Sequence, residues 1–228
     1  PAGPVVVPFP DREAAAAFAA DTGGRVVGWD DLAAESFDTD DATVVRDRVA
    51  DQRAAADDRV AERLALLDRG PTRTVSTDAE LRAALRTVPN GSTVVLQPGS
   101  YAGPLTVDPP ILLRGAGATI EGTGNGTPVR ITADDVAVDG LRVTGIGNQT
   151  RDENASTGEG WDRNIELGYG HGDAAISAVD AAGVVVTNVT VPHTPANGLL
   201  LRDSPEAVVR NLSVTGPPVW NDGFMGVM

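Results

Sequence analysis

The chain has 228 residues, with 32 acidic side chains, 18 basic ones and two histidines, for a formal net charge of −14. Every basic residue is arginine; lysine and cysteine are both absent. These counts exclude disulfide frameworks, iron–sulfur clusters, thiolate zinc sites and cysteine nucleophiles, along with lysine Schiff bases and a P-loop lysine. A pI near 4.4 excludes the basic stripe that nucleic acid requires.

A hydrophobic fraction of 41% supports a core, and 4% aromatic content makes that core one of Val, Leu, Ile and Ala. A carboxylate-rich surface paired with arginine fits a salt-rich, halophile-like setting, where dense charge keeps a protein hydrated. A GC-rich coding sequence would favour the same residues. No apolar run approaches the roughly 18 residues of a membrane span. Because the sequence opens at Pro1, the natural N-terminus and any signal peptide are expected to precede it.

Residues 1–36 read as a small α+β segment. Pro4–Pro8 is a short β run, Asp11–Glu13 opens an alanine-rich helix over Ala14–Ala20, Gly23-Gly24 closes it, and Arg25–Trp29 is a second β run. Residues 37–71 form a linker region whose 38–69 stretch reads as one long amphipathic helix. Asp38, Asp40 and Asp41 supply its cap and first-turn acids. Val45, Val49, Ala56, Val60, Leu64 and Leu67 share one face, and Gly70-Pro71 ends it. The opposite face carries like-charged pairs such as Asp47 with Asp51 and Arg59 with Arg63, so it is expected to be solvated. The helix either packs on its neighbours or receives a partner.

From residue 72 the pattern becomes β. Thr77-Asp78-Ala79-Glu80 is a capping box heading a short helix over 78–86. Beyond the Pro89-Asn90-Gly91 turn, runs of three to five β-formers alternate with Gly, Asp, Asn and Pro. These runs repeat. Val184–Val191 aligns with Val208–Val214, placing Asn188 and Asn211 on one position 23 residues apart, with Gly140 on the same position 48 residues before Asn188. That interval reads as two periods with a loop absorbed. A 23-residue period carrying short strands and no regular Leu spacing specifies a right-handed parallel β-helix over 72–228. Inward Val, Leu and Ile would form columns, repeated asparagines an amide ladder, and helix 78–86 an N-terminal cap. The last residues, Asp222–Met228, begin a further turn, so the sequence is expected to be cut inside the solenoid.

The stretches Thr93–Leu105, Ile111–Gly117, Val138–Gly145 and Asn221–Met228 resemble NosD-like periplasmic or cell-surface β-helix proteins, accessory factors in maturation of nitrous oxide reductase. Residues 1–36 resemble NosL-like copper lipoproteins through Phe9, the alanine-rich helix and Trp29. The NosD resemblance implies an exported protein that works with ABC transporter subunits and a copper chaperone or the reductase, with copper as cofactor or cargo and no catalysis of its own.

Four side chains suit Cu(I): His171, His193, Met225 and Met228. The two methionines, three residues apart, would face opposite sides of a strand and serve equally as core filling. His171 lies in the insertion at 146–173, which breaks the period and carries Asn148, Asn154, Trp161 and Tyr169; folded back, it could approach His193. Such long loops on solenoids form functional faces. A rival enzyme reading, a polysaccharide lyase, epimerase or hydrolase, would draw on Asp134, Asp135, Asp139, Asp162, Asp173, Asp180 and Asp203 with Arg163 and Arg202. Asp180 and Asp203 align at one turn position, which turn chemistry alone explains. Ca²⁺ could also use these acids. A third reading is a purely structural surface solenoid. Of six N-x-S/T sequons, Asn148 and Asn154 are the expected glycosylation sites because they lie in the loop.

Overall fold

A computed structural model describes residues 7–28, 42–150 and 170–216. The chain divides into two compact units, residues 1–53 and 54–228. The first contains helix α1 (Arg12–Thr22), where the Asp11 carboxylate accepts a 2.8 Å hydrogen bond from the Ala14 amide at the N-cap and Gly23 closes the C-terminus. Phe9 packs on Phe18 with ring centroids 5.1 Å apart. Residues 25–28 form no strand, in contrast to the β run expected there. The run at 4–8 and the acids Asp38, Asp40 and Asp41 lie wholly or mostly outside the described residues. Helix α2 (Ala42–Leu67) crosses the division between the units.

In the second unit every strand pairing among the described residues is parallel. Strands β1 (Thr72–Val75), β2 (Thr93–Leu96), β5 (Leu112–Glu121), β7 (Ala137–Thr144), β9 (Val185–Val191) and β11 (Val208–Val214) stack in one sheet, with β3 (Gly99–Ala102) added against the rear half of β5. Strands β4 (Leu105–Val107), β6 (Val129–Ile131), β8 (Ala174–Val179) and β10 (Asn197–Arg202) stack in the other. The long strands bend mid-way. The bend is three residues wide in β5, between Arg114 and Ala118, and a single left-handed residue elsewhere: Gly140 (φ 75°), Asn188 (54°) and Asn211 (51°). Three faces result, and the chain is a β-solenoid of about five turns.

The inward columns follow the register. Val94, Leu113, Val138, Val186 and Val209 align on the first face. Tyr101, Ile120 and Val143 align on the second, and Leu105, Val129, Ile176 and Leu199 on the third. Most are fully buried. Helix α3 (Asp78–Thr87) buries Leu81, Ala84 and Leu85 against the N-terminal turn and packs on β1, β2 and β4. Its cap forms as the sequence predicts. Thr77 Oγ1 accepts from the Glu80 amide, and the Glu80 carboxylate accepts from the Ser76 amide (2.8 Å) and hydroxyl (2.9 Å).

The 48-residue interval from Gly140 to Asn188 is one turn, not two, because β7 pairs directly with β9. The solenoid absorbs the additional residues as an excursion between β7 and β8, so the stacking register survives the insertion.

Candidate functional site

Three outward surfaces are available, and the sequence disposes of them differently. On the first face the outward row Thr93, Leu112, Ala137, Val185 and Val208 is largely apolar. Val60, Leu64 and Leu67 of α2 pack on it, giving a second hydrophobic cluster outside the solenoid lumen. Val49, expected on that same helix face, is exposed instead. The match is metrical. The eleven steps from Asp57 to Asp68 rise about 16 Å at about 1.5 Å per residue. Three to four rungs at about 4.8 Å span about 14–19 Å. One helical turn therefore rests on roughly one rung.

Charged pairs flank this apolar seam, so the polar side of α2 is not simply solvated. Asp57 binds Arg210 of β11 through both carboxylate oxygens, the longer contact being 3.0 Å. This hydrogen-bonded guanidinium holds the Asp57 carboxyl below the usual carboxylate range. Arg63 reaches Glu206 at 2.6 Å and Asp135 at 3.5 Å, two rungs apart. It passes over Gly183, where a Cβ would stand 2.6 Å from Asp135 Oδ1. Asp68 meets Arg114 at 3.6 Å and accepts from the Thr93 hydroxyl.

The expected amide ladder exists and extends beyond asparagine. Asn211 Nδ2 donates to Asn188 Oδ1 at 2.8 Å, and Asn188 Nδ2 donates to Asp139 Oδ1 at 2.8 Å. Asp139 Oδ2 then accepts from Arg114 Nε at 2.9 Å. Asn188 and Asn211 thus each commit one amide hydrogen to the ladder, and both are exposed, as are the sequon residues Asn90, Asn125 and Asn148.

The other acids named from sequence are dispersed. Asp134 accepts from the Ala182 amide at 2.7 Å. Asp173 accepts from the Gln149 amide at 3.1 Å. Asp180 and Asp203 hold left-handed turn positions (φ 52° and 50°), as turn chemistry predicts. Among the described residues no three His, Cys, Asp or Glu side chains gather into a metal site.

His193 occupies a corner equivalent to Gly145, and both are left-handed (φ 53° and 67°). Its side chain is exposed. His171 is also exposed, and its ring nitrogens face Arg202 Nη1 at 3.0 and 3.2 Å; the same Nη1 donates to the Gly170 carbonyl. Met225, Met228, Asn154, Trp161, Asp162, Arg163 and Tyr169 lie outside the described residues.

The second face carries a feature that the sequence reading passed over. Ser100, Thr119, Arg142, Thr190 and Ser213 form one outward row across five rungs, in register. All are exposed except the half-buried Thr119. Beside them Ser100 Oγ donates to Glu121 at 2.8 Å. The 23-residue spacings from Thr119 to Arg142 and from Thr190 to Ser213 were the available signal. On the third face the outward row is exposed at Thr106 and Arg130 but buried at Ser177 and Leu200.

No family model matches the chain, and no curated protein matches it. Among solved structures, it is similar to an alginate lyase from Paenibacillus sp. str. FPU-7, with 22% identity over 62% of this chain and 44% of that one, at a TM-score of 0.48. It is also similar to the PL6 family alginate lyase AlyGC, with 18% identity over 65% of this chain and 21% of that one, at a TM-score of 0.41. The chain spans less than half the length of either. Among the described residues no helix is long and apolar enough to cross a membrane.

Proposed function

We propose that this chain is an exported, carbohydrate-active β-helix that takes an extended glycan along its second face. The observation that carries the reading is the in-register row Ser100, Thr119, Arg142, Thr190 and Ser213, on an exposed face, while α2 covers the first face. Rungs about 4.8 Å apart present a hydroxyl or guanidinium at an interval close to the repeat of an extended hexose chain. Hydroxyl groups both donate and accept, so they suit the hydroxyls of a sugar. Arg142, at the centre of the row, supplies the only cation in it and would orient a carboxylate or a ring oxygen.

The test is affinity electrophoresis in gels containing alginate or a neutral glucan, paired with an ultraviolet assay for unsaturated lyase products. Retardation by one polymer, lost in Arg142→Ala and retained in Arg130→Ala on the third face, supports the reading. No retardation and no product with any polymer would sink it.

Copper delivery alongside an ABC transporter is the second reading, favoured by the NosD-like motif residues Thr93–Leu105 and Ile111–Gly117, which lie in the first turns of the solenoid. It is placed second because Arg202 sets a positive charge against the His171 ring, which opposes binding of a further cation there. Copper titration of wild type and of the His171→Ala and His193→Ala variants decides it. Unchanged affinity in both variants removes the histidine ligands.

A further inference from the structure

Asn197 opens β10 and is fully buried, yet neither its Nδ2 nor its Oδ1 has a hydrogen-bond partner. A buried carboxamide without partners is costly in an apolar setting and calls for an occupant. Its surroundings are rich in oxygen. The Gly172 Cα stands where an added Cβ would lie 2.7 Å from the Thr150 carbonyl oxygen, 3.1 Å from the Gln149 carbonyl oxygen and 3.1 Å from Asn197 Nδ2. Nothing on the protein orients the amide, so its oxygen and nitrogen are interchangeable in this position. Asp173 is adjacent in the chain to Gly172 and is joined to Gln149 by two bonds. Its amide donates to the Gln149 carbonyl at 2.6 Å, and its carboxylate accepts from the Gln149 amide at 3.1 Å. The Asn197 amide donates to the Asp173 carbonyl at 3.0 Å, tying the strand to the same knot.

We infer that this knot, at the root of the 146–173 excursion, is a binding site for a hard divalent cation of the Ca²⁺ class. The ligand set is one carboxylate (Asp173), one carboxamide oxygen (Asn197) and the main-chain carbonyls of Gln149 and Thr150. Ca²⁺ takes such mixed oxygen ligands and tolerates irregular geometry, whereas Mg²⁺ demands a near-ideal octahedron and keeps its waters. The cation would pin both ends of the excursion to β8 and β10, giving the loop a fixed root. The inference stands apart from the glycan face, which shares none of these residues.

The experiment uses the full chain stripped with a chelator and held in molar KCl, so that the −14 surface is screened. Thermal unfolding and calorimetric titration are followed with Ca²⁺ and with Mg²⁺. A saturable Ca²⁺ response of about one equivalent is expected, with the midpoint rising roughly 5–10 °C at 100 times Kd. Mg²⁺ should give much less. Asp173→Asn should remove most of the rise, while Asp180→Asn with Asp203→Asn, at the left-handed turns, should leave it intact. Asn197→Asp guards against a variant that simply fails to fold. It should melt lower than wild type in chelator and gain more from Ca²⁺. The inference is overturned if Ca²⁺ gives no saturable response, if Asp173→Asn responds as wild type does, or if a high-resolution structure grown in Ca²⁺ holds only water beside Asn197.

Discussion

Leu112 and Leu113 are neighbours in β5, both fully buried, and they point to opposite sides of the sheet. Leu113 faces the lumen, and Leu112 faces α2. Truncating each to alanine isolates the two environments. Removing three carbons forfeits about 2.4 kcal/mol of transfer free energy at about 0.8 kcal/mol per methylene. In the lumen the stacked rungs above and below cannot move in, so a cavity term adds to this and Leu113→Ala should cost about 4–5 kcal/mol. Under α2 the helix can settle toward the sheet, so Leu112→Ala should cost about 2–3 kcal/mol. Urea unfolding at fixed salt, read as a shift in midpoint at constant slope, gives both values. If α2 did not dock on this face, Leu112 would be a surface leucine and its truncation would change stability by less than about 0.5 kcal/mol. That result for Leu112→Ala, beside a large loss for Leu113→Ala, would refute helix docking while leaving the solenoid intact.

Two further outcomes follow from the corners and the cap. Asn188 both holds a left-handed bend and bridges Asn211 to Asp139. Asn188→Gly loses only the ladder bonds, about 1–2 kcal/mol, whereas Asn188→Ala adds about 1–2 kcal/mol for a left-handed alanine. Equal losses in chemical denaturation would show that the bend carries no strain. At the cap, hydrogen bonds from the Ser76 amide and hydroxyl, in that order, hold the Glu80 carboxyl below its ordinary value. A carboxyl with a depressed folded pKa stabilises above its unfolded pKa, and that contribution fades as pH falls through the folded value. The gap in melting temperature between wild type and Glu80→Gln should therefore close on acidification from neutrality to below pH 4. A gap independent of pH would show that the carboxylate charge is irrelevant to the cap.

The repeat made the solenoid legible. Residue pairs such as Asn188 and Asn211, 23 apart, share a corner because period and turn coincide, and the T-x-x-E signature located α3 with its cap. The count of turns failed at Gly140 because an insertion whose length is near one period mimics a further turn; only pairing can separate the two. The role of α2 was half legible. Val60, Leu64 and Leu67 stand out in the sequence as an apolar face, but the partner row is scattered through the repeat as one outward residue per rung, a pattern that resembles strand alternation gone wrong. The outward apolar residues Leu112, Ala137, Val185 and Val208 were the missing signal. Asn197 left no trace in the sequence, since a buried amide differs from an exposed one only by what surrounds it.

The arginine-only composition acquires a structural meaning on this scaffold. A planar guanidinium with donors on separate nitrogens can bridge carboxylates that a compact ammonium cannot span. Arg63 uses this to join Asp135 and Glu206 across two rungs, and Arg114 to join Asp139 with Asp68 of the segment following α2. These arginines are each about one-third exposed, so each pair contributes modestly and weakens with added salt. In a salt-rich setting the docking of α2 must then rest chiefly on Val60, Leu64 and Leu67, with the ion pairs fixing its register along the rungs. That division of labour explains why an apolar row is retained on an outward face of so acidic a protein. It also leaves the second face, with its hydroxyls and single arginine, as the broad sheet surface that no element of the described chain claims for packing.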